Sequence, residues 1–293
     1  MTPPPIFNVP KGIRPPMMRK IGGGVKELDF FKMVAAGNDF IVADNRLGIV
    51  AHPVFLAKKL CDRKFSIGAD GLLLLENSKK ADVRMRIFNP DGSQAEMCGN
   101  GVRCLAKFAF EKKIAKNSHS IETLAGTIFA FVRGDDVVKA KMVEPKGLRL
   151  NVPVSAKGAR HLLNLIDTGV PHAVKVLASV DEADVEGLGR VLRRHPFFSP
   201  RGSNVNFMSF GPGAWVHIRT YERGVEGETL ACGTGSTAGA LVAAALKNFK
   251  SPVKVKTRSG ETLKVYFLKK EGRFEEVYLE GRVTTSFRGR VKI

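Results

Sequence analysis

Two short motifs, each a cysteine followed by glycines, carry the chemistry that this sequence offers. They are Cys98-Gly99-Asn100-Gly101 and Cys232-Gly233-Thr234-Gly235. Each follows a predicted strand and a loop, and each opens a predicted buried helix. A thiol at a helix N-terminus lies beside unpaired backbone N–H groups and the positive end of the helix dipole, which favours the thiolate. Two such cysteines in matching halves of one chain predict a pair of thiols that face one substrate from opposite sides.

The chemistry that such a pair could do is proton transfer at carbon. If an α-carboxylate is held between two helix N-termini, a thiolate removes the Cα proton and a thiol on the other face returns one, so the configuration inverts. The backbone amides stabilise the negative charge that develops on the carboxylate as the carbanion forms. An epimerase or racemase built in this way needs no cofactor. The alternative is that two buried cysteines begin helices by chance.

The remaining cysteines do not indicate a disulfide framework or a metal site. Cys61 and Cys104 lie inside apolar helical patterns and are predicted to be core residues. There is no secretory signal, no CxxC pair and no histidine pair at ligand spacing, so we expect free thiols and no metal. The glycines at 233, 235 and 239 miss the dinucleotide-binding spacing, and no acidic residue follows about 20 positions later on a strand.

The composition is that of a folded protein with a strongly basic surface. The chain has 293 residues and a net charge of +19, but the lysines and arginines are spread in pairs with no long block. We therefore expect no nucleic-acid partner, no membrane partner and a cytoplasmic location. Residues 1–26 are rich in proline, glycine and basic residues and contain no acidic residue, which predicts a flexible basic extension.

The predicted elements fall into two similar sets. Helices are predicted at 53–61, 98–113, 185–193 and 236–247, and strands at 30–34, 40–43, 72–75, 83–88, three within 121–143, 162–167, 173–177, 205–210, 216–221, 253–257, 262–268, 276–280 and 282–287. The strands come in runs, which predicts in each half a sheet wrapped around one central helix. Segment 145–159 contains Gly147, Pro153 and Gly158 and is the predicted boundary between domains 27–147 and 148–282. The C-terminal strand, about 283–293, is the one segment that could return to the first domain.

Five segments together resemble the diaminopimelate epimerase family, and the resemblance runs from about residue 28 to the C-terminus. The segments are Gly37-Asn38-Asp39-Phe40, Arg86-Ile87-Phe88-Asn89-Pro90-Asp91-Gly92-Ser93, Cys98-Gly99-Asn100-Gly101-Val102-Arg103-Cys104, Tyr221-Glu222-Arg223-Gly224 and Ala231-Cys232-Gly233-Thr234-Gly235. The resemblance implies a mixed α/β (α+β) fold of two pseudo-symmetric domains, each a mixed, mainly antiparallel sheet around a central helix. It also implies a homodimeric enzyme, independent of pyridoxal phosphate, that interconverts LL- and meso-2,6-diaminopimelate in lysine and peptidoglycan-precursor synthesis.

The resemblance assigns expected roles to individual residues. Cys98 and Cys232 match the two catalytic bases, and His172 and Glu222 match residues that help to move protons on and off the thiols. The substrate-binding residues it implies are Asn38 near the reacting end, Gly99, Asn100, Gly233 and Thr234 around the reacting carboxylate, and Asn89, Asn204, Glu222 and Arg223 at the distal amino acid end. An arginine can pair with a carboxylate through two hydrogen bonds, and a glutamate can bind an ammonium group.

Two departures from the family pattern concern the substrate. Val170 stands where the family often has asparagine, and Gly71 stands where it often has glutamine. Both leave the thiols intact and remove polar contacts. One alternative is therefore a cofactor-independent racemase of another amino acid, such as histidine or another polar one. A second alternative is a basic binding protein that kept the fold and lost the chemistry.

Overall fold

The first half of the molecule is a set of eight strands and two helices. The computed structural model describes residues 27–293, so the predicted extension at 1–26 lies outside the described residues. The elements are β1 (Glu27–Ala35), β2 (Asn38–Asp44), α1 (Pro53–Leu60), β3 (Gly71–Glu76), β4 (Val83–Phe88), β5 (Gln94–Ala95), α2 (Gly99–Glu111), β6 (Ser118–Thr123), β7 (Gly126–Arg133) and β8 (Val137–Lys141).

The second half contains ten strands and two helices. They are β9 (Lys146–Ala156), β10 (Ala159–Asp167), β11 (Pro171–Val176), α3 (Gly187–Arg193), β12 (Asn204–Gly211), β13 (Trp215–Glu222), β14 (Gly227–Thr229), α4 (Gly233–Lys247), β15 (Val253–Lys256), β16 (Thr262–Lys270), β17 (Arg273–Arg282) and β18 (Thr284–Lys292). Apart from β9 and the two short strands β5 and β14, every strand and helix was predicted close to its observed position.

The strand pairings repeat from one half to the other. In the first half β1 pairs antiparallel with β2, β2 parallel with β3, β3 antiparallel with β4, β4 parallel with β6, and β6, β7 and β8 follow as antiparallel neighbours. The strands β10, β11, β12, β13, β15, β16 and β17 repeat the same order and directions. The predicted fold class, two pseudo-symmetric halves with mixed and mainly antiparallel sheets, is confirmed.

The two halves are joined by strand pairing, and each receives one additional strand. β8 pairs with β17, which makes one continuous sheet. β18 pairs with β1 in the same way as β9 pairs with β10, so one additional strand lies beside the first strand of each set. Because the sheet is continuous, the limits of the two domains at residues 147 and 148 stay a prediction.

The sequence did not predict β9, because glycine and proline in this segment indicated a linker. Pro153 pairs opposite Leu162, and β9 pairs only with β10 within the described part of the chain. Proline is tolerated on such an edge strand because its missing N–H has no ladder partner to satisfy. The strand alternates buried Val152, Val154 and Ala156 with exposed residues, which is the period expected of a half-buried strand.

Each half places one helix inside its sheet. Cys98 is the N-cap of α2, and every residue of this helix from Gly99 to Ala109 is buried. α4 is apolar on nearly every side and buried from Ser236 to Ala244, as expected for a helix with sheet all around it. It ends at Asn248, whose left-handed conformation is a common helix stop. The two central helices therefore have fixed starting points, and the two cysteines mark them.

The parallel strand pairs are covered by a helix on each face. In β3, Leu73 and Leu75 pack in the core that contains α2, whereas Leu72 and Leu74 pack in the core that contains α1. This explains why β3 has no polar face. Within residues 27–293, no helix is long and apolar enough to cross a bilayer.

Candidate active site

The first half presents Cys98 at the start of α2. Its backbone is extended (φ −143°, ψ 119°), and its Sγ accepts a hydrogen bond from the backbone N–H of Gly101 at 3.5 Å. The thiol therefore occupies the position of a capping oxygen and satisfies one of the N–H groups that a helix start leaves open. Unlike the buried Cys61 and Cys104, Cys98 is partly exposed.

The second half presents Cys232 in the same way at the start of α4. Its Sγ accepts a hydrogen bond from the N–H of Gly235 at 3.4 Å, and the hydroxyl of Thr234 lies 3.4 Å from the same sulfur. Cys232 is only 7% exposed, so it is less accessible than Cys98. The duplicated motif therefore produces duplicated local geometry.

The N-termini of the two helices meet. A Cβ added to Gly233 would lie 3.9 Å from the Cα of Gly99 and 3.6 Å from Oδ1 of Asn100. The two thiols are close enough that ionisation of Cys98 acts on Cys232. The first-turn amides of both helices are thus directed towards one region, where an anionic group would interact with both helix dipoles.

Burial changes the expected state of the two thiols. Although the helix N-termini favour the thiolate, burial is the dominant effect and raises the pKa of both Cys98 and Cys232. The N–H groups of Gly101 and Gly235 oppose this shift without overcoming it. The helix N-termini alone therefore do not make either thiol a ready thiolate, because a helix N-terminus cannot compensate for the loss of water.

Glu222 lies beside Cys232 at the end of β13. Burial raises the pKa of its carboxyl group, while hydrogen bonds from Thr229 and from the Cys232 thiol lower it. The Thr229 hydroxyl donates to Oε2 at 2.9 Å. The negative charge of Glu222 in turn raises the pKa of both Cys232 and Cys98. A carboxyl group with a raised pKa next to a thiol can accept and return its proton.

His172 is buried on β11 and held by an asparagine. The Nδ2 of Asn206 lies 3.0 Å from Nδ1 of His172, and the Oδ1 of Asn206 accepts a hydrogen bond from the hydroxyl of Thr220. Because the Asn206 Nδ2 must donate, Nδ1 accepts and the ring proton is on Nε2. The Nε2 has no partner within the described structure. Burial lowers the pKa of His172 to about 3.

Two predicted residues of the reacting end form one hydrogen-bonded chain with a residue that was not predicted. Asn100 Nδ2 donates to Asn38 Oδ1 at 2.6 Å, and Asn38 Nδ2 donates to Asp70 Oδ2 at 3.0 Å. Thr234 is tied to the same region, since its carbonyl accepts a hydrogen bond from Thr168. Asn38 and Asn100 are therefore oriented by their neighbours before any ligand binds.

The predicted distal residues form a second group. The Oδ1 of Asn204 accepts a hydrogen bond from the backbone N–H of Arg223 at 2.7 Å. The guanidinium of Arg223 donates to the carbonyl of Arg201 at 3.2 Å, and its positive charge acts on His172. Arg223 has donors left over for a carboxylate, because a guanidinium has five N–H groups.

Asn89 and the two departures from the family pattern are placed by local contacts. Asn89 donates to Ser93 within its turn, and no described hydrogen bond joins it to the other predicted site residues. A Cβ at Gly71 would lie 3.0 Å from the carbonyl of Phe88, so this position has little room for a side chain. Val170 lies in the turn before β11, where its carbonyl accepts a hydrogen bond from the N–H of Thr168.

Several residues that orient the site carried no assigned role in the sequence analysis. They are Asp70, Arg103, Asn206, Thr220 and Thr229. The sequence could have indicated Asn206 and Arg103, because each is a polar residue in a predicted strand or helix whose neighbours are apolar. For Asp70, Thr220 and Thr229, only tertiary pairing identifies the partner. No cluster of His, Cys, Asp and Glu side chains suited to a metal ion occurs within residues 27–293.

In sequence, the chain matches the same family in every comparison reported below. The family model for diaminopimelate epimerase matches residues 30–147 and 164–285. A diaminopimelate epimerase of Hydrogenobaculum sp. (strain Y04AAS1) is 40% identical over 271 residues, which cover 88% of this chain and 96% of the relative. That of Aquifex aeolicus (strain VF5) is 40% identical over 278 residues, covering 90% and 98%.

Comparison of structures gives the same fold among more distant proteins. A phenazine biosynthesis protein of the PhzF family from Bacillus anthracis has a TM-score of 0.73 at 17% identity, covering 92% of this chain and all of that one. A hydroxyproline epimerase from Agrobacterium vitis has a TM-score of 0.64 at 17% identity, covering 94% of both chains. These two similarities concern the fold alone, whereas the sequence matches span nearly the whole described chain. The chain belongs to the diaminopimelate epimerase family.

Proposed function

We propose that this protein is an isomerase that interconverts LL- and meso-2,6-diaminopimelate with two cysteines and no cofactor. The observation that carries the proposal is the meeting of two cysteine-capped helix N-termini, with Gly99 and Gly233 in near contact. The family membership supplies the substrate, since the relatives that match over about 90% of the chain are named diaminopimelate epimerase.

The proposed reaction needs two thiols in opposite protonation states. One of Cys98 and Cys232, as a thiolate, takes the proton from Cα, and the other, as a thiol, gives a proton to the opposite face. The carboxylate of the substrate lies between the first-turn amides of Gly99, Asn100, Gly233 and Thr234. These amides stabilise the charge of the carbanion, and they need no reorganisation because the helices fix them.

Two further side chains are proposed to exchange protons with the thiols. Glu222 lies beside Cys232 and has a raised pKa, so it can hold the proton that the thiol exchanges. Within residues 27–293 the Nε2 of His172 has no hydrogen-bond partner, and the ring stays neutral above about pH 4 because its pKa is lowered to about 3. A neutral imidazole can accept or donate without adding a charge to the site.

The second amino acid group of diaminopimelate is proposed to bind at the other group of residues. Arg223 would pair with the distal carboxylate, and Asn204 fixes the backbone from which Arg223 extends. Glu222 would interact with the distal ammonium, and Asn89 would contact the same end. Asn38 would contact substrate near the reacting carbon, since Asp70 and Asn100 already orient it.

We also propose the cellular setting that the family membership implies. The reaction would serve lysine and peptidoglycan-precursor biosynthesis in the cytoplasm, and the protein would act as a homodimer without nucleic-acid or membrane partners. Analytical ultracentrifugation at several protein concentrations would test the dimer.

The experiment that tests the function is proton NMR of LL-diaminopimelate with reduced enzyme in deuterated water, without added cofactor. The proposal expects loss of the α-proton signal and appearance of the meso isomer. Exchange with another amino acid from a panel, but not with diaminopimelate, would keep the two-thiol reaction and change the substrate. Val170 and Gly71 are the residues that make this second outcome worth testing. No exchange with any amino acid would overturn the proposed activity in favour of a non-catalytic binding protein.

A further inference from the structure

Helix α2 buries two basic side chains one turn apart, and their surroundings differ. Lys107 is 3% exposed, and its ammonium group is neutralised by Asp136 at 2.6 Å and Glu111 at 3.5 Å. Arg103 is fully buried, and within residues 27–293 no carboxylate forms an ion pair with it. A buried charge without a partner is costly, so an unpaired guanidinium in the core needs an explanation.

Both hydrogen bonds of Arg103 lead to the N-terminus of its own helix. One terminal nitrogen donates to Oδ1 of Asn100 at 2.7 Å, and the other lies 3.5 Å from the carbonyl of Gly99. The Nε has no hydrogen-bond partner in the described structure. Asn100 in turn donates to Asn38, so the guanidinium sets the orientation of both amide side chains. The positive charge thus lies directly behind the turn that Cys98 caps.

The fold leaves space for this guanidinium. Gly281 of β17 lies against it, and a Cβ there would be 3.4 Å from the nearest Arg103 nitrogen and only 2.4 Å from the side chain of Leu263. Any larger residue at position 281 would have to displace one of these neighbours. Arg103 is therefore enclosed between α2 and the sheet, where water cannot replace a missing counter-charge.

The corresponding positions around α4 carry the opposite balance of charge. Five residues after Cys98 stands Arg103, and five residues after Cys232 stands Thr237, whose hydroxyl donates to the carbonyl of Gly233. At the ends of the corresponding strands, the first half has the neutral Asn89 and the second half has Glu222. Of the charged groups that act on the two thiols, the cation Arg103 thus lies on the α2 side and the carboxyl group of Glu222 on the α4 side.

We propose that Arg103 is a positioning residue that makes Cys98 the first of the two thiols to lose its proton. The buried positive charge stabilises the Cys98 thiolate, and the hydrogen bond to Asn100 keeps the first turn in place for the carboxylate. Cys232 keeps its proton beside Glu222. Resting on the proposed function, the consequence is that the free enzyme first takes the Cα proton that faces Cys98, and Cys232 gives up its own proton to the other face.

The charges around the two sulfurs differ by one cation. On Cys98, Glu222 raises the pKa and Arg103 lowers it, and the effect of Glu222 is the larger of the two. Those that act on Cys232 are Glu222 and Cys98, and both raise the pKa. Around the guanidinium itself, the ionisable groups are Cys104, Cys98 and Glu261. Of the two sulfurs, only Cys98 has a cation among these groups.

The test is the pH dependence of thiol alkylation, because it reads ionisation without using the epimerase activity. Short pulses of iodoacetamide over a pH series are followed by peptide mass spectrometry. This gives, for Cys98 and for Cys232 separately, the midpoint pH at which the thiol ionises. We expect the Cys98 midpoint at the lower pH. In Arg103→Met it should rise by about one pH unit or more, which slows labelling below the midpoint about tenfold. The Cys232 midpoint should not rise, because Arg103 is not among the charges that act on this thiol.

Two matched variants separate charge from packing. Lys107→Met removes a buried cation from the same helix and should leave the Cys98 midpoint unchanged. Arg103→Lys keeps the charge and should keep the low midpoint, even if Arg103→Met does not fold. A lower midpoint for Cys232 in the unmodified protein, or an unchanged Cys98 midpoint in a folded Arg103→Met, would overturn the proposal. If Cys98 ionises first but no amino acid exchanges its α-proton, the proposed function fails and the role of Arg103 remains.

Discussion

The two halves of the chain, called here the α2 unit (β1–β8) and the α4 unit (β9–β17) after their central helices, have the same backbone design and different charges. In both, a cysteine caps a central helix and accepts a hydrogen bond from the N–H three residues later. Around Cys98 the notable buried group is the Arg103 cation, whereas around Cys232 it is the Glu222 carboxyl group. The repeat supplies two equal positions for a sulfur, and the neighbouring residues make the two sulfurs unequal.

The difference has a chemical meaning for proton transfer. A two-base reaction requires one protonated and one deprotonated group at the same time, and two identical thiols would not favour either arrangement. A cation behind one thiol and a carboxyl group beside the other favour a single arrangement. The symmetric scaffold therefore positions the groups, and the asymmetric charges assign their initial roles.

The largest effect should come from removing either thiol. Cys98→Ser and Cys232→Ser should each reduce epimerisation by about 100- to 10,000-fold, because a serine hydroxyl is a much weaker acid than a thiol at the same position. The measurement is the rate of meso-diaminopimelate formation. Cys61→Ala, which removes a buried thiol elsewhere, is the control. Full activity in either serine variant would contradict the two-thiol reaction.

Oxidation should act on both units at once. The facing thiols should join in a disulfide under a mild oxidant, so that activity falls to background and returns with dithiothreitol. Peptide mass spectrometry without reduction would identify the Cys98–Cys232 link. Activity that is lost in oxidant and not recovered by added dithiol would contradict this prediction, as would activity that is never lost.

A smaller effect should distinguish the two units in substrate recognition. Arg223 follows Glu222 in the α4 unit, whereas the neutral Pro90 follows Asn89 in the α2 unit. Arg223→Ala should lower kcat/KM for diaminopimelate by about 10- to 150-fold, the effect of one hydrogen bond to a charged group. The loss should be much smaller for an amino acid without a distal carboxylate. Arg201→Ala is the control, since Arg201 meets Arg223 through its backbone carbonyl. Equal losses for both substrates would indicate a different ligand.

The smallest predicted effect concerns stability in acid. The pKa of His172 is lowered by burial to about 3, so the unfolded chain binds a proton near pH 6.5 that the folded protein does not bind. Stability should therefore fall as the pH drops below about 6.5, by about 2 kcal/mol for this residue between pH 7 and pH 5. In the His172→Gln variant, the free energy of unfolding measured in urea should differ between pH 7 and pH 5 by about this much less than in the unmodified protein. An identical difference in both proteins would show that His172 is not the cause.

Most of the fold could be predicted because its signals are local. The apolar run in β3, the alternation in β4 and the all-round apolar pattern of α4 each reflect burial of the residues concerned. β9 was missed because Gly147 and Pro153 usually interrupt structure. Only the pairing with β10 shows that this proline lies on an edge strand, where its missing N–H has no cost.

For the site, the sequence by itself determined the two cysteine-capped helices, their repetition, and the chemistry that two facing thiols can do. These features depend on residue type and short spacing. The tertiary structure alone decided which groups surround each thiol: Asp70 behind Asn38, Asn206 behind His172, and Arg103 behind Cys98. It also decided that burial raises the pKa of both thiols. Such effects depend on distance and on the exclusion of water, and neither property is present in the order of residues along the chain.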